Sequence, residues 1–130
     1  MAKTYCIVFV ITLFVMGDAF RQNRPDYIKG LIYRKAGETR SVVNQQLRLA
    51  ARNAKMRITT AEQRRCVENL LTNLFHEGNS VIGLTTKKLI NEDEQQGNTS
   101  LFDQKKAIDL EFRKIVDHWL PENVAKLGKC

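Results

Sequence analysis

Cysteine and histidine are the side chains of this sequence best suited to covalent or metal chemistry, and neither is spaced for it. His76 and His118 have no cysteine or second histidine at the spacing of a zinc site. Each is predicted near a helix end, where an imidazole interacts with terminal carbonyl groups and the helix dipole. No nucleophile, metalloprotease or phosphate-binding motif occurs. Residues 92–94 lack the alternation and central glycine of a calcium loop. The sequence therefore predicts no enzyme, no metal site and no cofactor.

Residues 1–19 have the layout of a secretory signal peptide. Lys3 gives a positive start, a hydrophobic run covers Cys6 to Met16, and the small residues Gly17 and Ala19 mark the predicted cleavage site. The run is about half of the roughly 20 residues that a membrane-spanning helix needs. We therefore expect residues 1–19 to be removed and residues 20–130 to form a single secreted domain without a membrane span. A retained signal anchor is the alternative.

Removal of residues 1–19 takes away Cys6 and leaves Cys66 and Cys130. Two thiols in a small exported domain most simply form a disulfide. An intermolecular bridge through Cys130 is the alternative. Export would also expose the triplet Asn98-Thr99-Ser100 to N-glycosylation, and the sequence leaves its occupancy open.

Positive charge is concentrated in the first half of the expected mature chain. Residues 20–65 contain 12 basic and 3 acidic side chains, a net charge of +9, whereas residues 66–130 contain 8 and 10, a net charge of −2. The electric field of such a positively charged region steers association with acidic protein surfaces, sulfated glycans or anionic lipid. Nucleic acid is disfavoured because we expect the chain to be exported. A basic half that merely keeps a secreted protein soluble is the simpler alternative.

The densest group of basic residues is the predicted binding surface. Two helices and their connecting loop would present its members together: Arg48, Arg52, Lys55, Arg57, Arg64 and Arg65. Arginine predominates, and its planar guanidinium group suits bidentate contact with carboxylates or sulfates. The alternative is a set of separately solvated charges on two different faces.

Apolar residues recur at helical spacing along the mature chain, and no strand pattern of any length appears. Glycine and proline are predicted to end helices. We predict four main helices, from Pro25 to about Gly37, from Thr39 or Ser41 to Lys55, from Thr59 or Thr60 to Gly78, and from Ser100 to Pro121. One or two short helices, the first from about Thr85, complete an all-α bundle closed by one disulfide. Tyr27 and Leu101 are placed on the buried faces of their helices, and Cys66 is expected to point into or along the buried face of its helix.

The segment Leu31 to Arg40 (LIYRKAGETR), followed by Val42 to Leu47 (VVNQQL), resembles the small basic salivary proteins of anopheline mosquitoes, the albicin- and anophensin-like family. The resemblance implies a non-enzymatic salivary inhibitor of host defence that binds a host plasma protein, first of all the alternative-pathway convertase of complement. The alternative that it implies is inhibition of the contact and kallikrein–kinin system, through its zymogens or through anionic surfaces. No binding motif of the family transfers residue by residue.

Two further classes of function are compatible with a small basic helical chain. A membrane-active peptide is disfavoured because the basic residues flank a face that a folded bundle would bury. A helical carrier of apolar ligands is disfavoured because one disulfide is fewer than such small carriers usually have.

Overall fold

All regular structure in the described part of the chain is helical. The computed structural model describes residues 24–95 and 100–130, so the predictions for residues 1–19 and for Asn98 lie outside the described residues. Helix α1 spans Arg24–Arg57, α2 spans Ala61–Gln95, α3 spans Leu101–Lys114, a π-helical turn spans Ile115–Trp119, and α4 spans Leu120–Leu127. The predicted all-α class is confirmed, but the predicted count of four main helices is wrong. Because α3, the π turn and α4 follow one another without a break, the described residues form three long helical rods.

Helix α1 continues through Gly37, where the sequence predicted its end. Buried Ile32, Ala36, Val43 and Leu47 lie along one face on both sides of this glycine. Gly37 is exposed, and its φ angle is not positive as a left-handed helix end would require. A glycine inside a helix costs about 0.5–1 kcal/mol relative to alanine, whereas full burial of one Val or Leu side chain contributes about 1.5–3 kcal/mol. Packing on both sides of Gly37 therefore keeps the helix intact.

Helix α2 likewise continues through Gly78, because this glycine is a packing contact and not a helix end. A Cβ atom on Gly78 would lie 3.1 Å from Trp119 Cη2 and 3.3 Å from Val43 Cγ1. The indole ring of Trp119 therefore rests directly on the α2 backbone. Beyond Gly78, buried Ile82 and Leu89 extend the apolar face. The separate short helix predicted in this region is consequently part of α2.

The third rod begins at the predicted position, directly after Ser100, and passes through the proline predicted to end it. Ser100 Oγ accepts a hydrogen bond from the Asp103 N–H group at 3.2 Å. Further along, the Leu120 N–H group donates to the carbonyl of Ile115, five residues earlier. This wide turn accommodates Pro121, which lacks an N–H group and whose ring would crowd the preceding turn of a regular helix. The helical rod therefore continues past Pro121 into α4.

Ion pairs at both ends of α1 and α2 show that these helices are antiparallel. Lys29 pairs with Glu94, and Lys55 pairs with Glu68, each at 3.3 Å between nitrogen and oxygen. Between the rods lies the apolar core, whose largest fully buried side chains are Ile28, Ile32, Val43, Leu47, Val67, Leu74, Ile82 and Leu127. Within residues 24–95 and 100–130, no helix combines the length and hydrophobicity needed to cross a membrane.

The predicted disulfide between Cys66 and Cys130 is present, with Cα atoms 5.8 Å apart. It joins the second turn of α2 to the residues that follow α4, so the third rod runs antiparallel to α2 and parallel to α1. Cys66 is exposed at the edge of α2, so it lies along the buried face and does not point into it. Tyr27 and Leu101 were also predicted to face the core, but they are 49% and 37% exposed.

Candidate functional site

Two of the six predicted binding residues lie side by side on the edge of α1 that adjoins α2. Arg48 and Arg52 directly follow buried Leu47 and Ala51, so each emerges at the border of the buried face. The guanidinium carbon of Arg48 lies 5.7 Å from the centre of the Phe75 ring of α2, a cation–π contact across this border. Neither arginine forms an ion pair with any residue that the structure describes. Both charges are therefore available to an anionic partner.

Lys55 and Arg64 extend this basic edge toward the loop between α1 and α2. Lys55 Nζ lies 3.3 Å from Glu68 Oε1 of α2, which neutralises part of its charge. An exposed ion pair of this kind contributes about 0–1 kcal/mol to stability. Arg64 precedes Glu68 by one helical turn and therefore shares its side of α2. Arg64 is exposed, and no carboxylate of the described ranges pairs with it.

Arg40 belongs to the same surface but was not among the predicted binding residues. Its Nε atom donates a hydrogen bond to Asn79 Oδ1 across the α1–α2 border at 3.1 Å. Its place a little over two helical turns before Arg48 is the sequence signal that could have identified it. We term this surface the basic flank; its members are Arg40, Arg48, Arg52, Lys55 and Arg64.

Among the residues that the structure describes, the surface of α1 around Arg48 and Arg52 carries hydrogen-bond donors and no carboxylate. Six described side chains bound a shallow depression there: Ser41, Asn44, Gln45, Arg48, Leu49 and Arg52. Hydroxyl, amide and guanidinium groups can all donate hydrogen bonds, and bonds to an ionised acceptor are the stronger kind. The depression therefore suits a carboxylate or a sulfate group.

Arg57 and Arg65 lie outside the basic flank. Arg65 precedes buried Val67 by two residues, which places it about 200° around α2 from the core. Arg57 is the last residue of α1 and lines a separate groove beside α4. The structure thus brings four of the six predicted residues onto one surface and places the other two elsewhere.

The groove at Arg57 lies between the end of α1 and α4, next to the disulfide. It has a volume of about 440 Å³. Half of the twelve described residues that line it are aliphatic, namely Leu49, Ala50, Ala54, Ile58, Val124 and Leu127, and the others are Gln46, Asn53, Arg57, Gln63, Gly128 and Cys130. The sequence signal that could have identified the groove is the pair Ala50 and Ala54, because small side chains one turn apart let another helix approach closely. In the structure both alanines remain partly exposed in the groove.

Two titratable side chains mark contacts that attach α3 to the other helices. A hydrogen bond from Lys114 at 3.0 Å, assisted by the charge of Lys88 on α2, holds the pKa of Glu111 below its ordinary value. Hydrogen bonding by Lys105 and then its charge lower the pKa of Tyr27 on α1. Lys105 Nζ also lies 5.3 Å from the centre of the Tyr27 ring. The Tyr27 shift therefore reports a contact between α1 and α3, whereas the Glu111 shift reports first a contact within α3 and then one with α2.

The histidines do not lie near helix ends as predicted. His76 is exposed in the middle of α2, because α2 does not end at Gly78, and His118 is exposed in the π turn. Among the described residues, no group of three or more His, Cys, Asp or Glu side chains is placed to hold a metal ion. No protein-family model, curated protein or solved structure matches this chain. Function is therefore inferred from the chemistry of the basic flank and from the sequence.

Proposed function

We propose that this protein is a secreted, non-enzymatic inhibitor of host defence that acts on the alternative pathway of complement, first of all at its convertase. The signal-peptide pattern of residues 1–19 supports secretion. The resemblance of residues 31–47 to anopheline salivary proteins supports complement as the target and saliva as the source. The basic flank is the proposed contact surface for the host plasma protein.

The observation that carries this proposal is the pair Arg48 and Arg52. Their guanidinium groups project one helical turn apart from a single helix edge, and no described carboxylate neutralises either of them. Arg48 is further oriented by the Phe75 ring at 5.7 Å. A partner with surface carboxylates would therefore meet two arginines whose backbone is already fixed, so little order is lost on binding. The surrounding positive field would raise the rate of association.

Complement deposition on a surface that activates the alternative pathway tests the proposal. We expect the oxidised mature protein to reduce deposition with increasing dose and to leave classical-pathway deposition unchanged. The double variant Arg48→Glu/Arg52→Glu should raise the concentration for half-maximal inhibition by about tenfold, the effect of about 1.4 kcal/mol. The reason is that two attractive contacts become repulsive.

The matched control is Lys87→Glu/Lys106→Glu. It changes the net charge by the same amount at two exposed lysines, on α2 and α3, that lie outside the basic flank and pair with no described residue. Inhibition should survive in this control. An equal loss of inhibition in both double variants would assign the effect to overall charge and not to the basic flank. Absence of inhibition by the unmodified protein at a large molar excess would reject complement as the target.

The second candidate function is inhibition of the contact and kallikrein–kinin system by binding its zymogens or the anionic surfaces that trigger it. The depression around Arg48 and Arg52 favours it, because its described lining carries a row of hydrogen-bond donors and no carboxylate, which sulfated polymers could occupy. This candidate predicts prolonged surface-triggered clotting that added heparin reverses. Prolongation that heparin does not alter would favour a zymogen over a surface as the target.

A further inference from the structure

The groove at Arg57 is a second surface that the basic flank does not use. It lies between α1 and α4, whereas the basic flank follows the border between α1 and α2. Leu127 is 1% exposed and closes the groove from the side of the core. Leu49, in contrast, is 48% exposed, so the groove opens to solvent beside it.

Short side chains keep this groove open. Ala50 and Ala54 lie one turn apart on α1, and Val124 and Leu127 line the groove from α4. All four are apolar and at least partly buried, and an alanine on α1 leaves space that a larger side chain would fill. The volume of about 440 Å³ falls within the range of about 300–1,000 Å³ that small-molecule sites occupy.

Arg57 gives this apolar groove one fixed positive charge. Among the twelve described residues that line the groove it is the only one with a charged side chain, and no described residue pairs with it. The other polar side chains of the lining are the neutral amides of Gln46, Asn53 and Gln63. An apolar cleft with a single guanidinium group matches a ligand with an apolar tail and one carboxylate, which arginine can hold by two parallel hydrogen bonds.

We propose that this groove binds a small amphiphile that carries one carboxylate and a short apolar tail. The tail lies against Ala50, Ala54 and Val124, and the carboxylate pairs with Arg57. The site is separate from the basic flank, so it does not depend on the function proposed above. Small-molecule binding would make the protein a ligand carrier in addition to a protein-binding module.

Decanoate, used below its micelle concentration, is the probe, and decanol is its uncharged analogue. Titrations of the oxidised protein, followed by backbone amide NMR, should show saturable shifts at Ala50, Ala54 and Val124. Decanoate should bind at least about tenfold more tightly than decanol, and Arg57→Gln should remove that difference, which corresponds to about 1.4 kcal/mol. Arg65→Gln is the matched control, because it removes an unpaired exposed arginine outside the groove.

A second variant, Ala54→Phe, tests the apolar half of the site. The larger side chain should abolish binding of both decanoate and decanol, with circular dichroism confirming that the variant is folded. The proposal would be overturned by equal affinity for decanoate and decanol, or by an unchanged affinity for decanoate in Arg57→Gln. It would also be overturned if the groove residues showed no chemical-shift changes.

Discussion

At the scale of single residues, the basic side chains differ in how much of their charge the protein itself uses. Lys29 and Lys55 are paired with carboxylates of α2, whereas Arg52 is not paired within the described residues. Composition shows that the first half of the expected mature chain is basic, but it does not show which of its charges are neutralised by carboxylates. Pairing depends on which residue of a neighbouring helix lies opposite, and this register becomes visible only in the folded chain.

Glu111 shows how a single side chain can connect two rods. It accepts a hydrogen bond from Lys114 on its own helix at 3.0 Å and lies 3.4 Å from Lys88 Nζ on α2. These contacts favour its ionised form and lower its pKa in the folded state. The resulting stabilisation is complete above the pKa of the unfolded chain and is lost as the pH falls through the folded-state pKa.

Replacement of Glu111 by Gln should lower the free energy of unfolding by about 0.5–1 kcal/mol at pH 7, a size typical of surface ion pairs. The difference from the unmodified protein should shrink once the pH lies below the folded-state pKa, since the unmodified side chain is then also uncharged. Urea denaturation at neutral and at acidic pH measures this. Glu77→Gln, at an exposed carboxylate without a described partner, should show no such change. A pH-independent loss in Glu111→Gln would assign the effect to packing.

At the scale of elements, packing overrides the residues that usually end helices. Gly37, Gly78 and Pro121 were each predicted to stop a helix, and each lies inside a continuous rod. The apolar repeat predicted which faces are buried, because helical spacing is a local property. The lengths of the rods were not predictable in this way, since they depend on burial contributed by other helices on both sides of each glycine.

The two glycines should respond in opposite directions to the same substitution. Gly37 has no atom within 4 Å of its would-be Cβ, whereas that position on Gly78 meets Trp119 at 3.1 Å. Gly37→Leu should therefore raise the free energy of unfolding by about 0.5–1 kcal/mol through helix propensity. Gly78→Leu should lower it by about 1–3 kcal/mol, because the indole ring must move.

Thermal and urea denaturation of the two glycine variants, with tryptophan fluorescence as the readout, measures both effects. Trp119 is the only tryptophan of the sequence, so its emission reports directly on the contact with Gly78. A change of emission in Gly78→Leu and none in Gly37→Leu is expected. Stabilisation of both variants would show that Trp119 can move aside without loss of packing.

At the scale of the whole molecule, the all-helical class and the disulfide were predictable, whereas the surfaces were not. Helical spacing and the even number of cysteines left after residue 19 are properties of the sequence alone. The basic flank and the Arg57 groove depend on how three rods cross. Arg52 and Arg57 lie on the same helix, about 140° apart around its axis, and the packing of α4 against α1 places Arg57 in a groove.

The Cys66–Cys130 disulfide ties the third rod to the other two. It joins positions 64 residues apart, and closing a loop of that length in the unfolded chain corresponds to about 4 kcal/mol in the chain-entropy model. Domains of this size have a total stability of about 5–15 kcal/mol. The disulfide therefore accounts for a large part of the stability that we expect.

Cys66→Ala/Cys130→Ala should lower the free energy of unfolding by about 4 kcal/mol, measured by urea denaturation without reductant. The unmodified protein in excess reductant is the matched control and should lose the same amount, whereas reductant should not affect the double variant. The loss should come mainly from the unfolded state, so helical content in the absence of urea should change little. A loss below about 1 kcal/mol, or a large loss of helix before denaturation begins, would contradict a stabilisation that acts mainly on the unfolded chain.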